Sequence, residues 1–454
     1  MKKLLLAILL FACQFGGKLV AQPPFEEDIV VGKQPAMILE DASSGKFHIF
    51  CLGYDKNFDG NFDIEEGDVK PSWWSYNIIV PLKSEIPMLL ADKVRDFDYS
   101  VGNYIARPAH NKKQIFFQQN GSIIAYDLAD GSLIDTVAEN IDPIAMSFFN
   151  EKLFISIRNQ VEKDVVLVFD IKSKSYLDTI PAYNNVQMTL PIEYNGNRYL
   201  IILNEGNFGT NDSKLQFIDL SNGNEELAVV DIGGGGNFID YAIRNDDVWI
   251  AATMNSSHQI QIVSLKKMEI IKTINLQTEG FNGPREAHFN NENDLIYVSA
   301  YDGNIYEVNP ETGDAKNYLE CKAKPEGFYA GLAGNDYLLV ANIMDKLTYA
   351  PDSTVSVYVR YSSIEDVVNN TNLHIYPNPA QDLIHIQIPE NISIEIQAKI
   401  EIYTSTGLLV KKKMLSLNQN KEFIIKNSDF PRGDYFIKVT SGKNVYFGAF
   451  NVSN

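Results

Sequence analysis

The 454-residue sequence is poor in cysteine (three), tryptophan (three) and histidine (six), and its 39 Lys and Arg face 58 Asp and Glu, for a net charge of −19. Each shortage excludes something. Three cysteines in a chain this long are no disulfide framework. The histidines (His48, His110, His258, His288, His374 and His385) form no HExxH, and none has a cysteine partner at zinc spacing. No GxSxG elbow occurs, and no carboxylate pair stands out from the many Asp and Glu. So acidic a surface repels phosphate backbones, and no basic stripe with interleaved aromatics interrupts it, so nucleic acid is excluded as a partner. Beyond residue 22 no apolar run approaches the ~20 residues of a membrane-spanning helix.

The one long apolar run is at the start. Lys2 and Lys3 precede LLLAILLFA, and LVA precedes Gln22, so residues 1–22 read as an export signal. Cys13 is lost with it, and the remainder carries −22. The remaining Cys51 and Cys321 read as small buried hydrophobes.

Strands dominate the rest of the chain. Short β-branched and aromatic runs are punctuated by Asn, Asp and Gly, and helical periodicity is almost absent. The runs repeat in fours, as in PIAMSFF, KLFISIRN, DVVLVFDI and SYLDTIPA between Pro143 and Ala182. The centres of successive third strands, Ile124, Val168, Phe217, Ile262 and Ile305, step by 44, 49, 45 and 43 residues. A period in the forties with four strands is that of propeller blades, and the length of residues 23–361 fits seven. The tetraglycine Gly233–Gly236 lacks the Lys-Ser/Thr of a phosphate cradle and reads as a flexible loop between blades.

DKNFDGNFDIEE meets the calcium-loop pattern at every constrained position. Asp55, Asn57, Asp59, Asp63 and Glu66 would supply side-chain oxygens, Asn61 its carbonyl, and Gly60 the turn. The flanks, FHIFCLGY and SWWSYNII, are strand-like, so the expectation is a structural Ca2+ site between two strands of the first blade.

After Tyr361 the composition changes. Residues 362–372 read as a linker, and 373–454 as a small Ig-like β-sandwich. YPNPAQDLIHI, IYTSTGLLV and PRGDYFIKV, in that order, resemble the C-terminal sorting domain of type IX secretion systems. That resemblance implies routing to the outer cell surface or the medium, with the secretion machinery as partner. LNEGNFGTNDSKLQFIDLSNG, GPREAHF and KPEGF resemble YncE-like surface propellers, particularly a group with an EGNFG segment. This implies a surface binding protein with no fixed ligand.

Loops between second and third strands, and between blades, should share one face. That face would collect Tyr54, Asn207, Phe208, His258, Arg285, Tyr301, Glu326, Asn342 and Tyr349. Aromatics beside Arg, Asn and Glu suit a small molecule, a glycan or a protein surface. The expectation is non-catalytic binding. Capture of a corrinoid or similar cofactor for an outer-membrane transporter, and a lactonase-like hydrolase with a metal at the axis, are the alternatives.

Overall fold

The computed structural model describes residues 25–41, 46–57, 59, 62–77, 91–98, 109–111, 113–159, 163–290, 293–332 and 336–360. Of the C-terminal part it describes 373–377, 383–387, 397–404, 409–416, 422–426, 428, 430–441 and 444–452. The segments read from the sequence as an export signal (1–22) and a linker (362–372) lie outside the described residues.

Seven four-stranded antiparallel sheets make up the first part. Six are consecutive in sequence, over residues 35–96, 109–139, 145–181, 186–233, 236–275 and 284–320. The seventh takes three strands from residues 324–360 and its fourth from the N-terminus, Phe25–Val30, which pairs with Pro351–Arg360. From blade 2 onward the first strands of neighbouring blades pack on one another, that of blade 7 (Lys324–Leu332) packs on that of blade 1 (Pro35–Asp41), and blades 1 and 2 meet through Phe50, Trp73, Ile115 and Phe117. The result is a closed seven-bladed β-propeller. The residues spaced at the repeat, Ile124, Val168, Phe217, Ile262 and Ile305, all lie in third strands.

Turn chemistry explains why the strands end where they do. Asn150–Glu151, Asn195–Gly196 and Asn245–Asp246 have positive φ at both positions and join first strands to second. Two such residues make the primed turn that suits a twisted hairpin, and Asn tolerates it better than most. Third strands end in an acceptor side chain that catches the backbone N–H two residues on: Asp127 from Ala129, Asp170 from Lys172, Asp219 from Ser221, Asn309 from Glu311. Those Asx turns are the punctuation seen in the sequence.

Side chains between blades form the core. Trp73 is fully buried against Phe50, its ring centroid 5.4 Å away, and Phe117 at 6.3 Å. Its Nε1–H donates to His48 Nδ1 at 3.1 Å. Cys51 and Cys321 are buried, and burial raises the Cys51 thiol to about 12.

The C-terminal residues belong to a second compact unit. One sheet has three strands, ordered His374–Tyr376, Leu383–Gln387, Glu422–Lys426. The other has four, ordered Leu409–Ser416, Gln397–Thr404, Gly433–Ser441, Asn444–Val452. Ile384, Ile386, Ile400, Ile402, Ile437 and Phe450 fill the space between the sheets, as a β-sandwich requires. Among the described residues no helix is long and apolar enough to cross a membrane.

Burial lowers His48 from 6.5 to about 4, with Asp41 pulling the other way. The imidazole is therefore neutral in the fold and protonates more readily once unfolded. Stability is then whole above pH 6.5 and declines as pH falls toward 4. His48→Gln keeps an acceptor for Trp73 and does not titrate. Melting temperatures across that range should fall less steeply in the variant, and parallel curves would refute the assignment.

Candidate functional site

Strand direction alternates within each blade, so the loops joining second to third strands and those joining blades emerge on one face. Close contacts lace these loops together. A Cβ on Gly234 would lie 2.5 Å from the Thr210 carbonyl oxygen, and one on Gly283 only 2.0 Å from that of Asn255. Gly234 N–H donates to Ser257 Oγ at 2.9 Å, and Gly236 N–H to Ser213 Oγ at 3.1 Å. The glycine run is thus packed between two loops, not free as its composition suggested. Glycine is required because any side chain would push the loops apart.

Three of the predicted ligand residues meet. Arg285 Nε lies 3.1 and 3.2 Å from the Glu326 carboxylate oxygens, and Nη2 lies 2.8 Å from Oε1. The guanidinium also covers the Tyr301 ring at 4.5 Å, and the Tyr301 hydroxyl donates to Glu326. Burial alone would lower the guanidinium, but Glu326 outweighs it and the net direction is up. Glu326 is 2% exposed and Arg285 14%, so each charge is spent on the other. Beside them lies Lys324, which the sequence did not single out. Its ammonium donates to Asn282 Oδ1 at 2.9 Å and the Tyr301 carbonyl at 2.6 Å, under the Tyr349 ring at 4.9 Å. Burial lowers this lysine. The cluster ties blade 6 to blade 7 and supports the face from below.

The other predicted residues have separate places. Asn207 donates to Asp212 through its backbone N–H (2.9 Å) and its amide (2.6 Å), which shapes the loop carrying Phe208. His258 Nδ1 is 2.8 Å from Thr278 Oγ1. Asn342 corrects the expectation: it is fully buried, donating to Thr354 at 2.9 Å and Ser356 at 2.8 Å, and presents nothing to solvent.

Four large hydrophobes also stand exposed on loops of this face. Phe208 is 91% exposed, Phe281 83%, Leu347 87% and Tyr349 62%. They sit on loops of blades 4, 5–6 and 7, and acidic side chains hold two of those loops in shape. Asp345 Oδ1 accepts from Leu347 N–H (3.0 Å) and Thr348 N–H (2.8 Å). Hydrogen bonds, first from Thr348 to Asp345 and from Thr210 to Asp212, keep both carboxylates below their ordinary range. Phe281 and Leu347 were missed because a hydrophobe in a loop is visible as a site only when its exposure is known.

The loop from Asp55 to Glu66 joins the second and third strands of blade 1, as expected, and Tyr54 pairs with Val69 at its base. The Asn57 amide reaches Asp59 Oδ2 (3.2 Å) and Glu66 Oε2 (2.7 Å), so three predicted ligands gather. Asp63 instead caps a short 3-10 turn, accepting from Glu65 N–H at 2.9 Å. Asn61 and Gly60 lie outside the described residues. Among the described residues no three His, Cys, Asp or Glu side chains are grouped to hold a metal ion. A residue outside the pattern secures the loop: buried Asp68 accepts from Lys56 N–H and Asp63 N–H, both at 2.9 Å.

Comparison with known proteins bears on the second unit. Residues 374–451 match the model of the secretion system C-terminal sorting domain. The chain carries a type IX sorting domain. It is therefore addressed to the cell surface or the medium, with the secretion machinery as a partner. No curated protein matches the chain. A solved structure titled "Structure of U3-55K" aligns over 73% of this chain and 98% of its own, at 10% identity and a TM-score of 0.49.

Asp68→Ala removes the charged acceptor of two partly buried N–H groups and should cost about 1–3 kcal/mol. Asp59→Ala, at an exposed position, should cost about 0.5 kcal/mol or less. Urea unfolding of both variants checks the order, and equal losses would contradict it.

Proposed function

We propose that the propeller is an exported, non-catalytic recognition module that holds a glycan or protein partner against its loop face. The observation that carries this reading is the set of four exposed side chains, Phe208, Phe281, Leu347 and Tyr349, on laced loops of one face. Loops on a rigid scaffold carry recognition, and four exposed large hydrophobes on them supply apolar area for a partner. Loops already fixed by Asp212 and Asp345 lose little conformational freedom on binding. Exposed side chains spread over loops of several blades suit an extended partner, whereas an enclosed small molecule needs a concave site. The likeness of residues 183–360 to YncE-like surface propellers and the sorting address both support a role outside the cell.

Binding of the purified propeller to glycan arrays and to intact cells tests this. Phe208→Ser, Phe281→Ser, Leu347→Ser and Tyr349→Ser together should weaken the strongest binding by at least about tenfold with the melting temperature unchanged. Undiminished binding by that folded variant would reject the loop face.

Calcium belongs to the same proposal as a stabiliser of the blade 1 loop. The Asn57 amide donates to both Asp59 and Glu66, so a cation would replace that N–H link, turn the amide oxygen inward and draw Asp63 away from its cap. Calcium should raise the melting temperature of the intact protein and leave an Asp59→Ala, Glu66→Ala variant unmoved. Equal shifts in both would remove the ion from the account.

A further inference from the structure

We propose that the outer face of the three-stranded sheet in the sorting domain is the surface by which a protein of the secretion apparatus takes hold of the chain. The register sets Tyr376 opposite His385 and His385 opposite Ile424, so these three make one row across the sheet. The Tyr376 and His385 rings stack, with centroids 5.2 Å apart and planes 10° apart, and His374 flanks Tyr376 at 5.0 Å. Tyr376 is 37% exposed, Leu383 43% and Ile424 51%. Their neighbours in each strand, Ile375, Ile384, Ile386, Phe423 and Ile425, face the sandwich core, so the row is not a displaced part of that core.

Other surfaces of the domain suit docking less. On the four-stranded sheet, Glu401 is engaged by Lys399 at 2.8 Å and Lys412 at 3.9 Å, so a partner there would have to break ion pairs. Leu409–Ser416, at that sheet's edge, carries Lys411, Lys412 and Lys413 in succession. Charged edges, and lysine above all, discourage a strand from adding to the sheet. The row on the three-stranded face is aromatic and apolar, with His374 beside it and Lys426, opposite Leu383, at its margin, and Tyr376 and His385 lend it hydrogen-bonding edges. Such a strip gains free energy when covered by protein. The occupant follows from the family match: residues 374–451 are the part of the chain that the secretion system reads. The matching surface on that protein should be apolar with polar groups at its margin. The inference rests on the sorting role alone and is independent of any ligand of the propeller.

The full-length chain, expressed in a bacterium with a type IX secretion system, provides the test. Protein at the cell surface and in the medium is compared with protein held in the periplasm. Tyr376→Ser with Ile424→Asp should cut the exported fraction by about tenfold and leave folded protein, of unchanged melting temperature, in the periplasm. Lys412→Gln on the opposite sheet should export like the parent. If the double variant melts lower, Ile424→Thr, which keeps a β-branched side chain in the strand, is read in the same way. Parental export of the folded variants would overturn the proposal. So would equal losses in Lys412→Gln, or a change of oligomeric state in the row variants without a change in export, which would assign the row to a second copy of the chain.

Discussion

The pairing of Phe25–Val30 with Pro351–Arg360 joins the two ends of the propeller, and the geometry of the loop face depends on it. A propeller blade cannot bury both faces of its sheet alone, so each relies on two neighbours, and an open ring would leave two blades half-covered. Hydrogen bonds continue beyond the strand itself. Val31 N–H donates to the Ser353 carbonyl at 2.9 Å, Gln34 N–H to that of Asp352 at 2.8 Å, and Ser356 Oγ to Asp28 at 2.7 Å. These contacts are more than 300 residues apart in sequence. Loop-closure entropy grows slowly with length, so the separation weighs more on folding rate than on stability.

Closure fixes where each blade presents its loops, and the loops are then fixed to one another. Gly234 and Gly283 let neighbouring loops touch at backbone distance. Arg285, Glu326, Tyr301 and Lys324 bind blade 6 to blade 7 below the surface. On that support stand Phe208, Phe281, Leu347 and Tyr349. Polar side chains hold the face rigid, and in the proposed function the apolar ones meet the partner.

Much of this was legible in the sequence because a blade repeats its chemistry. The third strands of blades 2 to 6 are short, largely apolar runs, and several end in an Asx turn, so Ile124, Val168, Phe217, Ile262 and Ile305 could be placed from their spacing alone. The sorting domain was legible for a different reason: its motifs are local and keep their order. The candidate site was only partly readable. Arg285 and Glu326 belong to one face, as expected, but they are 41 residues apart, and their mutual neutralisation appears only when two blades meet. Asn342 shares a loop-proximal position with them and turns inward, a choice that strand pairing makes and composition does not. Asp68 lies two residues past the calcium pattern, and its importance comes from the closed shape of the loop.

Hydrogen exchange of the intact, exported chain addresses the closure directly. The amides of Phe25–Val30 that pair with Pro351–Arg360 should exchange as slowly as those of the inner blade 7 strands, because both open only when the ring opens. Rapid exchange of the N-terminal strand, with the rest of blade 7 protected, would show a ring that holds without it. That result would contradict the account of how the loop face is kept in shape.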